Sequence, residues 1–244
     1  MISKNQIKFV KSLQQKKNRI THESFVVEST KNVIEILNSN YEISQLFALK
    51  SWIENNKIDN SYSVNEVTEK ELQRISSLKN ASEVIAVVKI PIRKEMNCNF
   101  SGLNIFLEEI KDPGNLGTII RICDWFGVKN IYCSENAVDV YNPKVVQSTM
   151  GSISRVNLYY TNLFELIDKV PKAVNIYGAF MDGENLNDVK IIGDSIIVFG
   201  NESNGISKDL ESKLTNRITI NKKGMAESLN VAVSAAIIIN KFCN

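Results

Sequence analysis

The sequence predicts an α/β fold, with a mostly parallel sheet in its C-terminal part and a smaller α/β domain before it. Short apolar runs of strand length alternate with segments of helical periodicity along nearly the whole chain, which is typical of a sheet covered by helices. A polar stretch without periodicity, residues 93–102, interrupts this alternation. We therefore predict a linker there, between domains 1–92 and 103–244.

The first domain is predicted to be a compact α/β module. Ile7, Val10 and Leu13 recur at helical spacing, and residues 84–88 are apolar throughout, as in a buried strand. The predicted helices cover residues 4–15, 30–37, a segment near Trp52, and 68–76, and the predicted strands cover 24–28, 43–49, 62–64 and 84–88.

The second domain is predicted to begin with a strand and to end with a long helix. The alternation of strands with helices favours a mostly parallel sheet with helices on both faces. The predicted strands cover residues 103–107, 130–133, 156–160, 174–178, 196–200 and 217–220, and the predicted helices cover 118–126, 143–150, 163–170, 207–214 and 228–242.

The composition is that of an ordinary globular protein, because 43% of the 244 residues are hydrophobic and 23% are charged. No apolar run approaches the roughly 20 residues that a membrane-spanning helix needs. No apolar signal-peptide core follows the N-terminus, and the four cysteines form no CxxC pair. We therefore expect a cytoplasmic protein with reduced, buried thiols, in which metal and disulfide roles are disfavoured.

Positive charge is concentrated at the N-terminus. Residues 1–100 carry 15 Lys and Arg against 11 Asp and Glu, whereas residues 101–244 carry 14 against 16. Lys16, Lys17 and Arg19 form a basic turn after the first predicted helix, and no acid lies among the first twenty residues. We predict that this face contacts the phosphate backbone of a nucleic acid, RNA or DNA. A solvated helix face is the alternative that charge alone leaves open.

The single histidine, His22, lies far along the chain from the C-terminal half. A Ser-His-Asp triad, a Cys-His pair and a histidine-based metal cage are therefore excluded from that half. We expect no metal site, and any reaction there must use arginine, acidic, hydroxyl, amide and backbone groups.

Three glycine- and amide-rich segments lie where predicted strands give way to helices: residues 112–117 running on to Arg121, 200–205, and 227–230. Backbone N–H groups are free at helix N-termini, and ligands bind at the carboxyl ends of parallel strands, so the segments predict one site built from distant sequence. Residues 114–117 do not fit the GxGxxG of a dinucleotide-binding unit. Gly200 and Gly205 have the glycine spacing of a GxxxxGK[ST] P-loop, but Ile206 and Ser207 follow where lysine and Ser or Thr are required. Glycine turns without a ligand are the alternative for any one segment alone.

The three segments, in this order, resemble the signature motifs of the SpoU (TrmH-type) RNA 2′-O-ribose methyltransferases of the SPOUT superfamily. Motif one is residues 112–121 continued by 126–127, motif two is 198–207, motif three is 220–233, and the stretch 142–152 also resembles the family. The resemblance covers essentially all of the second domain. The first hundred residues resemble, on weaker grounds, the family's L30e-like substrate-binding domain.

The resemblance implies S-adenosylmethionine as methyl donor, held by backbone groups at Gly200, Ile220 and Leu229. It also implies a deep trefoil knot and a homodimer, and the composition and the single histidine give no reason to expect a membrane or metal partner. One departure is Asn221, which stands where the family usually has proline. Because proline fixes φ and lacks an N–H, we expect a slightly looser cofactor loop with function retained.

The resemblance further implies the catalytic residues Arg121, Asn115, Glu202, Ser228 and Asn230. Because a guanidinium keeps its proton, we expect Arg121 to be an electrostatic clamp on the substrate hydroxyl and phosphate, not a base. Asn115 is expected to orient the hydroxyl, and Glu202 to hold Arg121 or an RNA group. Helix capping is the alternative role for Ser228 and Asn230.

The predicted function is S-adenosylmethionine-dependent methylation of a ribose 2′-hydroxyl in RNA. The additional N-terminal domain favours 23S ribosomal RNA over transfer RNA. A catalytically idle RNA-binding or ribosome-assembly protein of the same fold is the main alternative. A nucleotide-dependent oxidoreductase is disfavoured by the missing dinucleotide fingerprint.

Overall fold

The computed structural model describes residues 1–56, 58–59, 62–92, 96 and 98–244. Residues 93–95 and 97 of the predicted linker lie outside the described residues, so the bounds of that linker and of the two predicted domains stay a prediction. Within the described part of the chain, no helix is long and apolar enough to cross a membrane.

The chain forms two compact units. The first, called the N-terminal unit below, combines Met1–Arg93 with Asp139–Ser154. The second, called the C-terminal unit, combines Lys94–Val138 with Arg155–Asn244. Residues 139–154 therefore pack with the N-terminal unit although they lie inside the second predicted domain, which the periodicity of the sequence does not reveal.

The helices and strands alternate along both units. The helices are α1 (Lys4–Ser12), α2 (Lys16–His22), α3 (Thr30–Leu37), α4 (Lys50–Asn55), α5 (Glu69–Ile75), α6 (Pro113–Trp125), α7 (Pro143–Thr149), α8 (Leu163–Ile167), α9 (Lys208–Glu211) and α10 (Val231–Cys243). The strands are β1 (Ser24–Glu28), β2 (Ile43–Ala48), β3 (Val64–Glu66), β4 (Val84–Lys89), β5 (Leu103–Leu107), β6 (Asn130–Ser134), β7 (Asn157–Thr161), β8 (Asn175–Asn185), β9 (Ser195–Phe199) and β10 (Asn216–Thr219).

The N-terminal unit is built on a mixed sheet in the order β1-β4-β2-β3. β4 runs antiparallel to β1 and β2, and β3 runs parallel to β2. Reciprocal capping boxes begin α1 at Ser3 and α5 at Thr68, because each hydroxyl accepts a backbone N–H that the first helical turn leaves free. The core joins these two helices to the sheet through Val10, Leu13, Val26, Phe47, Leu72, Ile75, Ile85 and Val87.

The segment 139–154 completes the N-terminal unit. The guanidinium of Arg19 donates to Asp139 Oδ2 over 2.6 and 3.0 Å, and to the carbonyl oxygens of Leu13 and Gln14 over 2.8 and 2.9 Å. The ring of Tyr141 lies 4.7 Å from that of Phe25 on β1. A buried ion pair and an aromatic contact thus fix the start of this segment to the unit.

The prediction that Arg19 lies on an exposed basic face is wrong. Residues 16–22 form helix α2 and not a turn, and the helix directs Arg19 inward, where only 2% of it is exposed. Lys16 and Lys17 on the same helix are exposed. The partner of Arg19 is 120 residues away in sequence, so nothing local to the basic run indicates its burial.

The C-terminal unit is built on a sheet in the order β10-β8-β9-β5-β6-β7, in which every pair of neighbours is parallel. Asn104, Asn130 and Asn157 stand side by side on β5, β6 and β7. Their side-chain amides hydrogen-bond in a row over 3.3 and 3.1 Å, which favours one register because a slip would leave buried amides without partners. The predicted parallel sheet is confirmed.

Helices cover both faces of this sheet. Ile176 and Tyr177 are successive residues of β8 and point to opposite faces. Ile176 belongs to the cluster on the α8 and α9 side, with Phe106, Tyr132, Ile196, Val198, Leu163, Leu166 and Leu210. Tyr177 meets Phe242 of α10 edge to face at 4.9 Å, and α10 packs on α6. The unit is therefore a three-layer α/β arrangement.

Two predicted helix starts are wrong in position. α6 begins at Pro113 and not at residue 118, because Asp112 caps it and proline suits the first helical position. α10 begins at Val231 and not at residue 228, because Asn230 is its N-cap. Motif one is therefore largely the first turns of a helix, and motif three ends on a helix cap.

Candidate active site

Motifs one and two lie next to each other because β5 and β9 are neighbours in the sheet. The N–H of Glu108 donates to the carbonyl of Phe199 over 2.9 Å, where both strands end. The N–H of Ser207 donates to the carboxylate of Glu108 over 2.8 Å. The loops that leave the two carboxyl ends are thus held side by side.

The motif-two loop, residues 200–205, closes on itself. Asn201 and Gly205 exchange two backbone hydrogen bonds of 2.9 Å each, with Gly205 at a φ of +69°. A Cβ on Gly200 would lie only 2.1 Å from the carbonyl carbon of Gly205. Glycine is thus required at position 200 for the loop to close, whether or not a ligand is bound.

A chain of side-chain hydrogen bonds joins all three motifs. Asn230 Nδ2 donates to Asn115 Oδ1 over 2.9 Å, and Asn115 Nδ2 donates to Glu202 Oε1 over 3.0 Å. Asn115 lies in the first turn of α6, Glu202 in the motif-two loop and Asn230 at the start of α10. The structure therefore brings together three of the five predicted catalytic residues, which we call the amide cluster.

Helix capping fixes the direction of this chain. Asn230 Oδ1 accepts the N–H groups of Ala232 and Val233, so its amide nitrogen must face Asn115. Asn115 then presents its oxygen to Asn230 and its amide hydrogens to the carboxylate of Glu202. Asn230 is thus both a helix cap and a cluster member, and the two readings offered by the sequence are compatible.

Arg121 and Ser228 lie outside the amide cluster. Arg121 is exposed on α6, and within the described part of the chain its guanidinium makes no hydrogen bond or ion pair. The expected contact from Glu202 to Arg121 is absent among the described residues, because Glu202 binds Asn115 instead. Ser228 is exposed two residues before the cap of α10. Both assignments stay predictions.

Two of the three predicted cofactor residues directly follow strands of the sheet, and the third, Leu229, directly precedes the N-cap of α10. Gly200 comes directly after β9 and Ile220 directly after β10, with β8 between these strands. Residues 221–229 are exposed, Leu229 by 48%, and among the described residues none of them makes a backbone hydrogen bond. A loop with free backbone donors and acceptors fits a cofactor held through its backbone.

The predicted strand 174–178 is too short, because β8 continues to Asn185. Residues 179–183 leave the pairing with β10, because Gly178 pairs with Arg217 but the next pair is Glu184 with Ile218. Met181 in this unpaired stretch is 64% exposed. The prediction missed it because residues 182–185 are polar or glycine and end the apolar run that is typical of a buried strand.

Metal and thiol chemistry find no support at the site. Among the described residues, no group of three His, Cys, Asp or Glu side chains could hold a metal ion. Burial raises the pKa of the Cys123 and Cys133 thiols well above the ordinary value, which favours the protonated thiol over the nucleophilic thiolate. The expectation of buried thiols is wrong for Cys98 and Cys243, which are exposed.

Comparison with known families shows to which family the chain belongs. The sequence model of the SpoU rRNA Methylase family matches residues 102–240, more than half of the chain. The chain belongs to this family. The MRM3-like substrate binding domain matches residues 4–86. Membership confirms the predicted family, the RNA methyltransferase class and S-adenosylmethionine as cofactor.

Similar proteins match over nearly the full length. The chain is 26% identical over 240 residues to the 23S rRNA (guanosine(2553)-2′-O)-methyltransferase RlmP of Bacillus subtilis strain 168, covering 97% of this chain and 96% of that one. A putative RNA methyltransferase of the TrmH family from Porphyromonas gingivalis superposes with a TM-score of 0.89 at 33% identity, covering 99% and 98%. The AdoMet-bound rRNA methyltransferase from Sinorhizobium meliloti superposes with a TM-score of 0.86 at 25% identity, covering 99% and 96%.

Proposed function

We propose that this methyltransferase modifies a ribose 2′-hydroxyl of 23S ribosomal RNA and that the amide cluster is its reaction centre. The main support for this proposal is the hydrogen-bonded chain Asn230–Asn115–Glu202, which joins the three family motifs next to the predicted cofactor loop. The 23S ribosomal RNA is chosen because RlmP, which matches over nearly its whole length, is named for that substrate. Such a substrate agrees with the expected cytoplasmic location.

Glu202 is proposed to accept the hydrogen bond of the attacking hydroxyl. Its Oε1 is held by Asn115, and in the described residues its other carboxylate oxygen makes no hydrogen bond within the chain. The hydroxyl must be aligned and must lose its proton as attack proceeds. Asn115, with both ends of its amide engaged, then positions Glu202 instead of touching the hydroxyl itself.

Arg121 is proposed to bind the phosphate beside the target ribose. Its guanidinium is exposed and makes no hydrogen bond or ion pair with the described residues, so it is available for a substrate anion. A permanently charged, planar group holds phosphate oxygens in two hydrogen bonds and stabilises negative charge that develops on the ribose oxygen. Ser228 is proposed to assist as a hydroxyl donor from the cofactor loop.

S-adenosylmethionine supplies an activated methyl group when bound. Gly200, Ile220 and Leu229 would hold it through backbone groups, a role that the exposed and unpaired backbone of residues 221–229 supports. Lys16 and Lys17 are proposed to contact the RNA backbone, because both are exposed on α2. Arg19 is not included, since it is buried.

The finer architecture is also proposed from family membership. We expect the trefoil knot of the SPOUT type, an L30e-like N-terminal domain and a homodimer. Exposed apolar side chains support the dimer: Trp125 on α6 is 84% exposed, and Val233 and Ile237 on α10 are 49% and 39% exposed. Val233 and Ile237 lie one helical turn apart on the same face. Sedimentation of Val233→Glu with Ile237→Glu should give a monomer, whereas an unchanged dimer would refute this interface.

The experiment offers labelled S-adenosylmethionine with ribosomal RNA in one reaction and transfer RNA in another, both from a strain that lacks the gene. We expect incorporation into 23S ribosomal RNA alone. Incorporation into transfer RNA would mean that transfer RNA is the substrate, and the proposed ribose methylation would stand. Cofactor binding by calorimetry without incorporation into either RNA would instead favour the idle RNA-binding alternative.

A further inference from the structure

Asn201 uses every polar atom it has to hold the motif-two loop. Its Nδ2 donates to the carbonyl of Glu109 over 2.9 Å. Its Oδ1 accepts the N–H groups of Ser203 and Asn204 over 2.9 and 3.1 Å. Its backbone N–H and carbonyl both bond to Gly205. The side-chain oxygen therefore stabilises its own loop, and the side-chain nitrogen binds the Glu109 peptide, which follows β5 and precedes motif one.

Only an amide of this length meets both demands. A carboxylate at this position would accept the two loop N–H groups but could not donate to a carbonyl. A serine hydroxyl could cap the loop but is too short to reach Glu109 as well. The residue type therefore indicates a link between loops and not simply a turn.

The other end of the link is a constrained peptide. Glu109 has a φ of +53°, a left-handed conformation that is uncommon outside glycine, asparagine and aspartate. Its N–H donates to Ser134 Oγ over 2.8 Å and its carbonyl accepts from Asn201, so it is fixed from β6 and from the motif-two loop. Three residues later Asp112 caps α6, the helix that carries Asn115.

We propose that Asn201 is a positioning residue for methyl transfer, and this inference rests on the proposed function. By locking the motif-two loop to the Glu109 peptide, Asn201 sets the distance between the neighbouring Glu202 and Asn115. Asn201 itself contacts neither substrate nor cofactor; it acts through Glu202. Its loss lowers the turnover number, while the affinities for cofactor and RNA stay nearly unchanged.

Asn201→Asp tests the link because it retains the loop cap and removes the donor to Glu109, while the negative charge that it adds is matched in the control variant. Asn204→Asp is the matched control: it makes the same chemical change in the same loop, and within the described residues the Asn204 side chain makes no hydrogen bond. We expect Asn201→Asp to lower kcat about tenfold, the cost of one such hydrogen bond, with KM for both substrates unchanged. Asn204→Asp should stay within about twofold of wild type. Equal effects of the two variants would overturn the proposal.

A double-mutant cycle separates positioning from general destabilisation. If Asn201 acts through Glu202, then Asn201→Asp should cause no further loss of kcat in a Glu202→Gln background. Multiplied losses would show that the two residues act independently and would overturn the proposal.

Hydrogen exchange gives a readout that needs no activity. Asn201→Asp, without any RNA or cofactor, should speed amide exchange in residues 108–116 relative to Asn204→Asp. Unchanged exchange there would refute the link even if the wild-type enzyme were inactive on ribosomal RNA. Loss of the proposed function and loss of this inference are thus distinguished.

Discussion

Helices α2 and α6 each carry one arginine, and the two side chains lie in opposite environments. Arg19 of α2 is 2% exposed and donates to a carboxylate and two carbonyl groups. Arg121 of α6 is exposed, and its guanidinium has no partner among the described residues. A buried guanidinium with four hydrogen bonds holds the N-terminal unit together, whereas an exposed one without a partner among the described residues is available to an anionic substrate. Loss of Arg19 should therefore affect stability, and loss of Arg121 should affect catalysis.

Removing Arg121 should have the largest effect. Arg121→Ala is expected to lower kcat/KM for methyl transfer about a thousandfold, because a charge that stabilises the reacting oxygen and phosphate is lost. The free energy of unfolding and the affinity for S-adenosylmethionine should change little. Single-turnover kinetics and calorimetry check both expectations, and retention of most of the wild-type turnover would remove Arg121 from the site.

Removing Arg19 should act on stability instead. Arg19→Ala leaves Asp139 and two carbonyl groups without their partner, so the free energy of unfolding should fall by about 3 kcal/mol in urea titrations. In the Asp139→Asn background the further loss should be smaller, since the buried carboxylate is already gone. If Arg19→Ala instead weakens RNA binding at full stability, the division between the two arginines is mistaken.

Neutralising the exposed lysines should have a moderate effect on RNA binding. Lys16→Gln with Lys17→Gln should reduce the slope of log Kd against log salt by about 1.5, because two fewer phosphates are neutralised. Lys70→Gln with Lys79→Gln removes the same charge elsewhere on the N-terminal unit and should leave the slope unchanged. Equal slopes for both pairs would mean that α2 presents a merely solvated face.

Relieving backbone strain in the N-terminal unit should have the smallest effect. Ser29 has a φ of +83° with ψ near 143°, a region that glycine occupies at little cost. Ser29→Gly should raise the free energy of unfolding by about 1 kcal/mol, since glycine also serves as an N-cap nearly as well as serine. Thermal unfolding measures the gain. A drop in methyl transfer would instead show that the strain serves function.

Much of the fold was predictable because its signals are local. Apolar runs of strand length fixed the positions of β1, β5, β9 and most other strands, and the start of α6 could have been read from Asp112 and Pro113. The burial of Arg19 could not be predicted from the sequence, because its partner Asp139 belongs to a segment that joins the N-terminal unit from far along the chain. The charges on a few neighbouring residues do not show whether one of their side chains is buried.

The sequence predicted where the site lies but not which of its side chains hydrogen-bond to one another. Three motifs at strand ends predicted that Asn115, Glu202 and Asn230 would meet. That Asn115 is bonded at both ends, and so holds Glu202, follows only from the distances. Asn201 went unassigned because its partner is a backbone carbonyl, which has no sequence signature.

The amide cluster is proposed to direct methyl transfer to a ribose oxygen. The most direct test is alkaline hydrolysis of ribosomal RNA that the enzyme has methylated with labelled S-adenosylmethionine. A 2′-O-methyl group removes the hydroxyl that attacks the adjacent phosphodiester, so label is expected in alkali-resistant dinucleotides, and Glu202→Gln in the amide cluster should lower it strongly. Label recovered in ordinary mononucleotides would mean that a base is methylated and would refute a ribose oxygen as the target.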